Sequence, residues 1–319
     1  MGKYTIRRLV IAIPTLVGAT LLVFLLLRVV PGDVAEMICR GESGEGACPP
    51  EVLARLRAEL GLDRPLHVQY LVWMADIAQA DFGKSMMTGR SVGGEILHRL
   101  PLTVQIAVMA EVIALLVGLP IGILSAVRQD SWLDHTLRFW SIFFLAVPTF
   151  WLGLLVLLVG VRYFNWMPPV GYFPLWEDPR NNLMQLIWPA GVLASHELAR
   201  IARMTRSAML EVMREDYIRT ARAKGLREQM VIMRHALKNT LIPVITFTSV
   251  YFGALLGGTV VLEAVFSVPG LGTLFLEGLR FRDYTTIQAL VFFLATSFIV
   301  INLLVDLLYG WLDPRISFS

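Results

Sequence analysis

Charge is scarce in this chain, and cysteine scarcer still. Charged residues make up 17% of the 319 positions and hydrophobic ones 56%, whereas a soluble domain carries roughly 25% charged and 45–50% apolar residues. That shortfall excludes an ordinary water-soluble fold, and because the apolar residues fall in blocks it points to a polytopic membrane protein. The formal charge of +3 is too small to support nucleic-acid binding. Catalytic signatures are missing as well. There is no G-x-x-x-x-G-K-[ST] phosphate loop, so the chain has no ATP site of that type, and no H-E-x-x-H, G-x-S-x-G or C-x-x-C. Gly270 and Gly272 do not open a dinucleotide fingerprint, because Phe275 stands where the third glycine belongs. The two cysteines, Cys39 and Cys48, make no framework. They lie in one loop among Gly41, Gly44, Gly46 and Pro49, where a local disulfide and two free thiols both fit. No metal site is expected, since the nearest histidine is His67.

What is present is a set of apolar runs. A membrane-crossing helix needs about 20 mostly apolar residues, and six candidates occur: 9–30, 102–127, 137–161, 183–202, 241–265 and 287–309. The fold expected is therefore all-α and polytopic, with six transmembrane helices. The first run follows Lys3, Arg7 and Arg8. It exceeds a signal-peptide core of about 7–15 residues, so it is read as an uncleaved span. The fourth run is the most polar, with Pro189, His196, Glu197 and Arg200. Three divisions are expected: an N-terminal tail and first span at 1–30, an outer cap at 31–101, and a five-helix core at 102–319. The core includes a polar loop at 203–240.

Orientation follows the lysines and arginines of short loops. Residues 200–238 hold ten of the chain's 28: Arg200, Arg203, Arg206, Arg214, Arg219, Arg222, Lys224, Arg227, Arg234 and Lys238. That loop is placed in the cytoplasm, and six spans then put both termini there. The cap contains two helical patterns, one ending at Gly61 and one over 65–77. Glu111 is the one carboxylate at mid-span. Such a group faces a pathway or a hydrogen-bonding helix neighbour, and both readings stand. Gly253, Gly257 and Gly258 fit either a pathway wall or close helix packing.

Within the polar loop, Leu210, Met213, Tyr217 and Ala221 form an apolar stripe at helical spacing, with Glu215 and Arg219 on another face. Gly225 breaks the helix, helical character resumes over 227–237, and Pro243 opens the fifth span. Composition alone allows a lipid-facing basic loop. A knob that docks in a partner's groove is the other reading.

The residues decide between these by resemblance. The run Glu215, Asp216, Tyr217, Ile218, Arg219, Thr220, Ala221, Arg222, Ala223, Lys224 and Gly225, followed by His235, Asn239 and Pro243, resembles the EAA loop of binding-protein-dependent ABC importer permeases. Arg219 and Thr220 replace the general Glu-Ala, as they do in the dipeptide/oligopeptide branch. The same branch is matched by Arg7-Arg8-Leu9, Pro31-Gly32-Asp33, 60–65 (LGLDRP), 81–85 (DFGKS), 266–272 (FSVPGLG), Arg282-Asp283-Tyr284 and 302–316. Pro31-Gly32-Asp33 lacks the branch's following proline.

The resemblance implies a permease subunit of the bacterial inner membrane that forms half of a pathway with a second, homologous permease. It implies two P-loop ATPases beneath, which bind ATP and Mg, and an extracytoplasmic solute-binding protein above. The chain itself would carry no cofactor and no catalytic residue. The EAA-like helix would lie in an ATPase cleft, with Ala221, Ala223 and Gly225 allowing close approach and Arg219, Arg222 and Lys224 supplying charged contacts. Peptides are the substrate class implied, with nickel complexes, opines and oligosaccharides as alternatives in the same branch. An ion-coupled secondary transporter is the rival of a different class. It needs midplane carboxylates and inverted repeats, and Glu111 alone supplies little of that.

Overall fold

The computed structural model describes residues 2–29, 34–40, 48–169, 171 and 173–312. The Pro31-Gly32-Asp33 motif, the loop glycines 41, 44 and 46 and the chain beyond Leu312 lie outside the described residues. Among the described residues every regular element is a helix, with one isolated bridge between Lys84 and Ser91. They divide into two units, Met1–Pro101 with Gly270–Ser319, and Leu102–Pro269.

In the first unit, α1 (Gly2–Val29) packs along α13 (Tyr284–Leu312), and α12 (Leu271–Phe281) lies on α13. The cap is three short helices, α2 (Val34–Arg40), α3 (Pro50–Glu59) and α4 (Leu66–Ala78). Their ends follow local chemistry. Pro50 and Pro65 stand at the two starts, where a missing N–H costs nothing. Gly61 sits just past α3 at φ +65°, a left-handed conformation that glycine adopts freely. The first turns of α5 (Val92–Val127) join this unit through Val92 and Ile96, which pack with Leu271, Leu274, Ala289 and Leu290.

In the second unit, α8 (Pro179–Val212) is the central element, with α6 (Trp132–Ala146), α7 (Thr149–Phe164) and α11 (Leu237–Val265) packed on it. Asp178 caps α8 by accepting from the Asn181 amide, and Pro179 takes the first position. The helix continues past Pro189. It lies against α5 at two glycines. A Cβ on Gly118 would meet the Leu198 carbonyl at 3.0 Å, and one on Gly122 would meet Thr205 at 2.5 Å and the Ala202 carbonyl at 2.7 Å. Small residues four apart let membrane helices approach this closely.

Two expected spans take a different form. The run 137–161 is not one helix: α6 and α7 meet at 102°. Val147 is extended (φ −80°, ψ 125°) because the proline after it excludes the helical region, and Pro148 supplies no amide to continue the ladder. His196 of α8 lies 2.8 Å from the Val147 carbonyl and satisfies it. Pro243, expected to open the fifth span, lies inside α11. The helix begins upstream, running from α10 (Glu228–Met230) through a π-turn at Val231–Ala236. Among the described residues, Val10–Val29, Val92–Val127, Glu228–Val265 and Tyr284–Val305 are each long and apolar enough to cross a membrane, and the bent α6–α7 pair makes a fifth. The expected fourth span is part of α8, which does not reach that apolarity.

Candidate functional site: the basic loop and its anchor

Between α8 and α10 the chain forms a detached helix, α9 (Asp216–Ala223). A turn at Met213–Glu215 breaks it from α8, and Gly225 ends it at φ +74°. A Cβ at Gly225 meets nothing within 4 Å, so backbone conformation rather than space calls for glycine there. The two faces of α9 differ. Ile218 and Ala221 are buried with Met209, Val231 and Ala236, and Leu210 and Met213 pack at the edge. Asp216, Arg219, Thr220, Arg222, Ala223 and Lys224 are exposed.

This corrects the sequence reading in two places. Ala221 is only 5% exposed and packs inward, away from the exposed face. Ile218, not Tyr217, is the inward residue at that turn; Tyr217 is 39% exposed. An intrahelical ion pair joins Arg219 to Asp216 at 3.5 Å. That pair is open to solvent and contributes well under about 1 kcal/mol.

The second half of the motif holds the first. Asn239 on α11 donates to the Tyr217 hydroxyl at 2.7 Å. Arg222 donates twice to Glu228, at 2.7 and 3.1 Å, across the Gly225 turn. That pairing lowers the Glu228 carboxyl and raises the Arg222 guanidinium from their ordinary values. His235, in the π-turn, is partly buried.

Within the last turns of α8, ahead of α9, a buried ion pair anchors the helix. Asp134, fully buried at the start of α6, accepts from Arg206 Nε at 2.9 Å and Nη2 at 2.8 Å. Its remaining lone pairs are met by the Ser125 hydroxyl and the Asp130 amide. The α5–α6 connection is thereby fixed to the helix that carries α9.

Two family models match the sequence. One, described as the binding-protein-dependent transport system inner membrane component, covers residues 118–318, and its N-terminal companion covers 1–107. The chain belongs to this permease family. A putative peptide transport system permease protein of Brucella abortus (strain 2308) is 40% identical over 319 residues, covering all of both chains. The dipeptide transport system permease protein DppB of Escherichia coli (strain K12) is 40% identical over 339 residues and 99% of each chain. The corresponding protein of Alkalihalophilus pseudofirmus is 38% identical over 342 residues, with all of both chains covered. Among solved structures, the MetNI methionine ABC transporter in an inward-facing form gives a TM-score of 0.56 at 18% identity. It covers 68% of this chain and 96% of that one, a likeness of fold.

The permease's other candidate residues are dispersed. Glu111 on α5 has a buried Oε2 without a hydrogen-bond partner among the described residues, and Glu197 on α8 is close enough to act on it electrostatically. Glu197 pairs with Arg200 at 3.2 Å through Oε2. Of the α11 glycines, Gly253 is buried, Gly257 faces open space and Gly258 packs against Leu193. Nothing brings the three together as one wall. Cys39 and Cys48 are joined by a disulfide that closes the cap loop.

On the cap, two motifs of the permease meet. Asp283 accepts from the Ser85 hydroxyl, the Met86 amide and both polar groups of Thr286. The 81–85 and 282–284 segments therefore form one latch. Sequence reasoning missed the Asp134–Arg206 pair and the Gly118/Gly122 contact. The first has no local signature; the second was visible as glycines four apart.

Proposed function

We propose that this permease is the membrane subunit of an ATP-driven importer of the dipeptide/oligopeptide class. With a second, homologous permease it forms the translocation pathway. Two P-loop ATPases bind ATP and Mg on the cytoplasmic side, and an extracytoplasmic binding protein delivers substrate to the cap. The observation that carries this reading is α9, an eight-residue helix outside the apolar elements, with an exposed polar face and a buried apolar one. A short helix seated on one apolar cluster and tied by Asn239 and Glu228 moves as a unit when pushed. Closure of the ATPases on α9 passes through Arg206 and Asp134 to α6 and α8. The ten cationic residues of 200–238 support a cytoplasmic placement of α9, and with six spans, α8 contributing the fourth, both termini lie in the cytoplasm. Ala223, Gly225, Arg219, Arg222 and Lys224 form the docking face. The peptide substrate rests on the relatives' peptide and dipeptide transport names.

The test is reconstitution of the permease pair with its ATPases in proteoliposomes. ATP-driven, binding-protein-dependent accumulation of a labelled dipeptide is expected. Uptake that proceeds without any ATPase, driven by an ion gradient, would overturn the assignment.

A further inference from the structure

Beside α9 the second unit carries an open cleft of about 790 Å³ between α6 and α8. Four arginines line it: Arg138 from α6, Arg203 and Arg206 from α8, and Arg214 from the turn. Arg206 is committed to Asp134. Arg138, Arg203 and Arg214 are exposed and have no acidic partner among the described residues. Glu211, Glu215 and Asp216 also line the cleft, and Asp216 is paired with Arg219 outside it. Three uncommitted cations against the two remaining carboxylates leave one positive charge, the complement of a single phosphodiester. Arginine's planar fork suits phosphate oxygens better than a point charge does.

The surroundings select the carrier of that phosphate. Arg138 and Ile142, one turn apart, form the α6 wall of the cleft. The neighbouring positions of α6 are exposed rings: Trp132 at 80%, Phe139 at 62%, Trp140 at 49% and Phe143 at 37%. Phe139, Trp140 and Phe143 contact one another edge to face. Exposed aromatic side chains at the polar end of an apolar helix mark the membrane–water interface. Basic pockets between membrane helices at that depth hold anionic headgroups. A soluble anion has no use for Ile142, Leu210 and the ring set, whereas acyl chains do.

We propose that this cleft binds the phosphodiester headgroup of an anionic membrane phospholipid, with its acyl chains along Ile142 and the aromatic face of α6. The bound lipid lies against the start of α9 and braces the coupling helix from the membrane side. The proposal uses the cytoplasmic placement of α9 only to say which leaflet supplies the lipid.

Native mass spectrometry of the full chain, purified from bilayers of phosphatidylcholine with a minor share of phosphatidylglycerol, tests it. The wild type is expected to retain phosphatidylglycerol over phosphatidylcholine. Each arginine near a membrane surface is worth about a fivefold factor, so Arg138→Gln with Arg203→Gln is expected to lower that preference about 25-fold. Arg138→Lys keeps most of it, and Arg162→Gln, outside the cleft, leaves it unchanged. A thermal midpoint within the wild-type range shows that the double variant is folded. Retention unchanged in the double variant, no preference in the wild type, or displacement by millimolar inorganic phosphate each overturns the lipid assignment. Loss of peptide uptake with lipid retention intact would count against the function above and not against this site.

Discussion

Replacing Asp134 by asparagine asks how firmly α6 is tied to α8. The substitution keeps the shape and one acceptor but removes the charge. Arg206 is then left with no carboxylate in a position where it is one-fifth exposed. Breaking a buried ion pair by removing one partner costs about 3–5 kcal/mol, because the remaining charge stays desolvated. The partial exposure of Arg206 favours the lower end, about 3 kcal/mol, or roughly a hundredfold in the folding equilibrium. At about 2.1 cal/mol/K of unfolding entropy per residue, a chain of 319 residues loses about 4–5 °C in thermal midpoint. The assay is thermal unfolding of the detergent-solubilised permease, followed by intrinsic fluorescence. The double variant Asp134→Leu with Arg206→Met is expected to recover most of the loss, since an apolar pair of similar volume is often neutral. A single variant with the wild-type midpoint would refute the reasoning. So would a double variant no better than the single one.

Other substitutions separate space from conformation. Gly122→Ala places a Cβ 2.5 Å from Thr205 and is expected to destabilise the second unit by about 1–3 kcal/mol, whereas Gly257→Ala, with nothing within 4 Å, is expected to be neutral or slightly stabilising; paired thermal midpoints check this. Gly225→Val forces a β-branched residue to φ +74°, at about 1–2 kcal/mol. Faster hydrogen exchange over 216–225 with unchanged exchange in α11 is the expected result. Asp283→Ala removes the acceptor shared by Ser85, Met86 and Thr286, and is expected to expose the 81–91 segment to limited proteolysis while α9 stays protected.

Features set by neighbours in sequence were legible. The cap helices end where Gly61 and Pro65 say they do, and α9 stops at Gly225, because capping and left-handed turns are decided within four residues. The division between inward and outward residues on α9 was half legible. Periodicity marked Ala221 as apolar, but the turn at Met213–Glu215 interrupts the stripe and rotates the register, so Ile218 and not Tyr217 lies beneath. The bend at Val147–Pro148 was obscured by averaging hydropathy across it; the proline itself was in plain view. Asp134 and Arg206 are 72 positions apart, and no local pattern links them. Pro243 misled as a boundary because the π-turn upstream and the membrane helix are continuous, so proline there disturbs a helix already begun.

The coupling role of α9 can be tested on its exposed face without touching its core. Ala223 is exposed, so Ala223→Trp obstructs docking while Ile218 and Ala221 keep their packing. In the reconstituted transporter the measurement is ATP-driven dipeptide uptake alongside the thermal midpoint of the permease. The expected result is uptake lost and ATPase co-purification reduced, with the midpoint unchanged. Uptake at the wild-type rate with the bulky side chain in place would contradict α9 as the element that receives the work of ATP.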